Sequence, residues 1–165
     1  MCRALFSLWR NIPPMLAALF ASLHVLALAI GLGAVFARGR ALRALVRGDG
    51  KLEAVFFADN FWGLAALLWI GSGLARLFGQ LDKGLDFYVF NGLFWVKMGL
   101  FALVFALEIA PMVSLIRWRA ALRKGGSPDT RRAPLLVRLN DAEVALVLVI
   151  AFVAPMMSRG LWLLT

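Results

Sequence analysis

Four long apolar runs, separated by short polar stretches, organise the chain. They cover about Ile12 to Phe36, Leu52 to Phe78, Leu93 to Ile116 and Leu135 to Leu164. Each reaches or exceeds the roughly 20 residues that a helix needs to cross a bilayer. They are too long and too continuously apolar for the alternating strands of a membrane barrel. In hydrocarbon, a helix satisfies all of its own backbone groups. The pattern therefore predicts an all-α fold: an integral membrane four-helix transmembrane bundle, one transmembrane domain over 1–165. Asp59 interrupts the second run, and Pro155 is expected to bend the fourth because proline lacks a backbone donor. The stretch "RKGGSPDT", Arg123 to Thr130, reads as a flexible turn between the last two spans.

Composition agrees with the pattern. The chain is 62% hydrophobic with a mean hydropathy of +0.84, above the usual share for soluble domains. The formal net charge is +9. Its basic residues flank the apolar runs, as membrane orientation requires, and do not form a nucleic-acid reader. Arg38, Arg40, Arg43, Arg47 and Lys51 fall in the first loop; Arg117, Arg119, Arg123, Lys124, Arg131, Arg132 and Arg138 fall around the third. Those loops are expected in the cytoplasm, with both termini and the second loop outside. Arg3, Arg10 and the segment Ala27-Leu28-Ala29 also suggest a cleaved signal peptide. That reading fails because the first apolar run is about 25 residues long, beyond a signal core, and basic residues follow it.

The candidate chemistry is sparse. His24 is the single histidine and Cys2 the single cysteine, so a disulfide within the chain and a cysteine metal cage are both excluded. There is no phosphate loop, no HExxH, no CxxC and no nucleophile elbow. No catalytic residue and no metal site is assigned. At 100° per residue, His24 shares its face with Ala17, Ala21, Ala27 and Gly31, whereas Leu19, Leu23, Leu26 and Ile30 lie opposite. Small residues mark helix contacts, so His24 is expected to face the bundle interior. There it can be a neutral hydrogen-bonding group, a haem or metal ligand, or a proton-transfer group. Met98, Met112, Met156 and Met157 are candidate axial partners for a haem.

Lys97 and Glu108 share a face of the third span, but their Cα atoms lie about 16 Å apart, too far for a direct pair. One expectation is a polar pocket lined by His24, Lys97 and Glu108. Two interfacial networks are also expected. One joins Asp59, Arg117, Arg119, Asp141 and Glu143, with Asp59–Arg117 as one pair; the other joins Arg76, Asp86, Tyr88, Asn91, Lys97 and Arg159.

The segments "LHVLALAIGLG", "ADNFWGLAALL", "GSGLARLF", "KGLDFYVFNGLFWVKMGLF", "IRWR" and "SRG" resemble the bacterial membrane-protein family known as domain of unknown function 2214. The resemblance implies a compact four-helix inner-membrane protein with no assigned activity. It matches at His24, Asp59, Arg76, Lys83, Tyr88, Asn91 and Lys97, whereas Glu108 stands where a smaller polar residue is expected before Pro111. The chain is also similar to protoporphyrinogen-oxidase-type proteins of haem biosynthesis and to copper-resistance membrane domains. They share a histidine in the first span and a lysine opening the third; a further histidine expected after the third span is missing here. That likeness implies His24 as a haem ligand and Lys97 as the partner of a carboxylate. The resulting expectation is a cofactor or small amphiphile held by His24, Lys97 and Arg76, with Asp59, Glu108, Tyr88 and Asn91 as further polar interior residues. The alternatives are a scaffold for a membrane-protein partner or second copy, and a small proton-linked transporter.

Overall fold

The computed structural model describes residues 13–79 and 81–164. The expected start of the first span at Ile12, together with Cys2, Arg3 and Arg10, lies outside the described residues. Among those residues the helices are α1 (Pro14–Arg47), α2 (Leu52–Phe78), the short α3 (Leu85–Val89), α4 (Gly92–Arg123) and α5 (Ala133–Ser158). The fold is all-α, and α1, α2 and α4 are long and apolar enough to cross a membrane. The fourth long helix, α5, carries Arg138, Asp141 and Glu143 in its first half and is not among those three.

Helix ends follow local chemistry more than hydropathy. α1 runs on past Phe36 because nothing breaks it before Gly48, which takes the left-handed conformation at φ 85° and donates to carbonyls of the last turn. Arg38, Arg40, Arg43 and Arg47 are therefore helical, which corrects their assignment to a loop. At 1.5 Å per residue, α1 is about 50 Å long, well beyond the roughly 30 Å of bilayer hydrocarbon. α4 begins where Asn91 Oδ1 accepts from the Leu93 N–H at 2.9 Å, and it continues through Pro111 to Arg123. The fourth apolar run stops being helical at Ser158, short of the expected Leu164. Gly160, at φ 76°, turns the chain back, and Leu163 pairs antiparallel with Asn91.

α1 packs against both α2 and α5, and α5 packs against α4. α2 and α4 instead meet mainly through side chains, such as the edge-to-face pair Trp69–Phe101 at 5.7 Å between centroids. The core forms two apolar layers. One contains Ala27, Val35, Trp62, Trp69, Val104, Val147 and Ile150; the other contains Leu42, Val55, Leu115, Trp118, Ala133 and Leu136. On α1, Arg38 falls between the two. Leu19, Leu23 and Leu26 are exposed while Ala27 and Gly31 are buried, the division that the small-residue argument predicts for this helix.

Candidate functional site

Polar side chains gather at two levels. The first centres on Arg38, whose side chain is fully buried. Its Nε–H donates to Asn140 Oδ1 at 2.9 Å. Nη1 donates to Asp59 Oδ1 at 3.0 Å and to Glu108 Oε1 at 2.8 Å. Nη2 donates to Glu108 Oε2 at 2.7 Å and to Glu143 Oε2 at 2.6 Å. These contacts can occupy all five guanidinium donors, and they join α1, α2, α4 and α5. Trp62 Nε1–H also donates to Glu108 Oε2, at 2.9 Å, and Arg119 Nη2 donates to Asp59 Oδ2 at 3.0 Å. Asn140 closes the network by donating to the Val35 carbonyl at 3.0 Å. Gly39 permits that approach, since a Cβ there would stand 2.5 Å from Asn140 Nδ2.

This level revises several expectations. Asp59 pairs with Arg38 and Arg119, not with Arg117, which is exposed. Asp141 lies apart from the network and pairs with Arg43 at 2.7 Å. Glu108 belongs to the Arg38 cluster and does not line a pocket with His24 and Lys97. The sequence reading missed Arg38 because it took a basic residue after an apolar run for a membrane flank. The available signal was its spacing: Arg38 follows Gly31, Ala34 and Val35 on the buried face of a helix with no breaker.

The second level is a cavity of about 460 Å³ near the α3 end of the bundle, lined by residues of α1, α2, α3, α4 and α5. Ligand pockets span roughly 300–1,000 Å³ and are mostly apolar, with a few polar groups. Here Leu28, Phe94, Phe101 and Ile150 supply apolar wall, while His24, Arg76 and Lys97 bring nitrogen groups to the lining. Sequence reasoning named those three, and the fold brings them to one cavity. Met98 and Met157 line it too, whereas Met112 and Met156 do not. Asn91 is fully buried as the cap of α4 and is not in the lining; Asp86 and Arg159 are exposed.

The hydrogen bonds of His24 suggest a tautomer. Ser72 Oγ donates its one proton to the Leu68 carbonyl at 2.6 Å, so it accepts from His24 Nδ1–H at 2.9 Å. In the neutral ring, the Nε2 lone pair remains, with no hydrogen-bond partner among the described residues. Lys97 has no hydrogen-bonding or ion-pair partner among the described residues either. Trp69 lines the cavity, and its buried Nε1–H has no acceptor among them.

The α3 end of the cavity is strapped. Asp82 Oδ2 accepts from Arg76 Nη2 and from the Tyr88 hydroxyl, both at 2.6 Å. Burial, reinforced by the Asp82 carboxylate, pushes the Tyr88 phenol above its ordinary titration range. Lys83 donates to the Ser158 carbonyl at the end of α5. The C-terminal segment adds backbone bonds from Gly92 N–H to the Trp162 carbonyl, 3.0 Å, and from Leu164 N–H to the Phe90 carbonyl, 2.7 Å.

No group of three or more histidine, cysteine, aspartate or glutamate side chains suited to a metal ion occurs among the described residues. No curated protein and no solved structure matches the chain. A family model does match, over residues 16–161, and by that extent the chain belongs to the family described as predicted membrane protein (DUF2214).

Proposed function

We propose that this protein is a four-span inner-membrane protein that holds a small anionic amphiphile in the cavity beside His24. The observation that carries the reading is the pairing of a mainly apolar cavity with Lys97, a cation that has no acidic partner among the described residues. An apolar chain would lie against Leu28, Phe101 and Ile150, and its acidic head would pair with Lys97, with Arg76 nearby. A buried ammonium is costly unless an anion compensates it, so such a head is the natural complement. In this reading α5 is the fourth span. The basic residues at the far ends of α1 and α4 support a cytoplasmic position for those ends, which in this reading puts the cavity toward the outer leaflet.

The test is mass spectrometry of the intact protein, released gently from native membranes. Wild type should carry an anionic amphiphile, and Lys97→Met should lose it while keeping its helical circular dichroism. A wild type without an adduct, or an adduct indifferent to Lys97→Met, refutes the reading. A second reading, haem, is favoured by Met98 and Met157 lining the cavity with His24, whose Nε2 lone pair is available. An absorption spectrum of the same preparation separates the two, since a haem band lost in His24→Ala would replace the amphiphile.

A further inference from the structure

The borders of the cavity differ in chemistry: one is a polar strap, the other an apolar flank. At the α3 end, Asp82 ties Arg76 to Tyr88, Lys83 reaches the end of α5, and the C-terminal segment pairs with Phe90 and Gly92. That end would face water. On the flanks, Val25 of α1 and Leu74 of α2 line the cavity although they are 64% and 50% exposed. Each thus belongs both to the cavity wall and to the outer surface of the bundle. Their exposed neighbours are apolar as well, including Leu23 and Leu26 on α1 and Phe78 on α2. An apolar surface at membrane depth meets acyl chains, so the cavity is continuous with the lipid phase.

We propose that the cavity is loaded sideways from the bilayer, and that its occupant is a membrane-dissolved long-chain carboxylate with a single acyl chain. The inference rests on the amphiphile reading above and adds a route and a ligand class. At about 460 Å³ the cavity lies toward the small end of ligand pockets, which suits one chain better than two. A carboxylate head complements the Lys97 ammonium, and a chain already in the membrane need not pass the polar strap. Asp82 has a matching part in the strap: it occupies Arg76, so Lys97 is the cation left for the head.

The full chain is reconstituted in zwitterionic phospholipid vesicles containing a bromine-labelled long-chain fatty acid. Bromine quenches tryptophan, and Trp69 lies in the cavity wall. Wild type and Lys97→Arg should show a saturable quenching component that Lys97→Met lacks. Release of the probe into acceptor vesicles then reports the route. Val25→Phe and Leu74→Phe should slow it by about tenfold, whereas Lys83→Met with Tyr88→Phe, which loosens the strap while keeping the Arg76–Asp82 pair, should leave it unchanged. Acceleration by the strap variant with no effect of the flank variants overturns sideways loading but leaves the ligand reading standing. Absence of a saturable component in wild type overturns the fatty-acid ligand itself.

Discussion

Replacing Arg38 with methionine should be among the most damaging single substitutions in this protein. The change preserves much of the apolar stem and removes the five guanidinium donors that serve Asp59, Glu108, Glu143 and Asn140, leaving Trp62 on Glu108 and Arg119 on Asp59. The side chains of Asp59 and Glu108 are only 17% and 18% exposed, and that of Glu143 is fully buried. Three carboxylates would then face one another, with Arg119 reaching Asp59 alone. Removing one partner from a buried ionic cluster costs roughly 3–5 kcal/mol, which is about two to three and a half decades in the folding equilibrium. Arg38→Lys should fall close to Arg38→Met, because an ammonium offers three donors from one point and cannot reproduce a planar fork that serves four acceptor side chains. The charge argument also predicts a rescue. Adding Glu108→Gln and Glu143→Gln to Arg38→Met should recover much of the loss, since a cluster removed as a unit leaves fewer stranded charges. The assay is reversible denaturation in mixed micelles, followed by tryptophan fluorescence with circular dichroism as a second probe. A loss below about 1 kcal/mol for Arg38→Met, or no gain from the added glutamines, would refute the assignment of Arg38 as the bond between the helices.

Two further predictions test the neighbouring geometry. Tyr88 is the single tyrosine of the chain, so phenolate absorbance titrates it alone, and it should ionise above its ordinary value near 10. Because the folded value is raised, Tyr88 contributes stability that is present in full below about pH 10 and is lost as pH rises through the folded value; Asp82→Asn should move the titration back down. An unshifted titration in wild type would contradict the strap. Gly39→Ala should cost about 1–3 kcal/mol in the same denaturation assay, because its Cβ would displace Asn140 from both Arg38 and Val35. A stability equal to wild type would mean that Asn140 does not hold that position.

The sequence by itself determined the helical nature of the chain and its membrane class, because long apolar runs admit few other solutions. It also determined which face of α1 turns inward. That face depends only on the 100° step and on the contrast between small and large residues around His24. Residues His24, Arg76 and Lys97 were legible for the same reason: each is an ionisable group that stands out within or beside an apolar run. Only the tertiary structure decided how these groups combine. Glu108 and Lys97 share a helix and even a face, yet one joins Arg38 and the other the cavity, because their separation along α4 sets them at different levels. Arg38 looked like a flanking charge, since its character depends on partners 21 to 105 positions away in sequence. Asp59, likewise, had several nearby cations and no local rule for choosing among them. Ion pairing between helices is decided by register and depth, and those become fixed only when α1, α2, α4 and α5 pack around the same guanidinium.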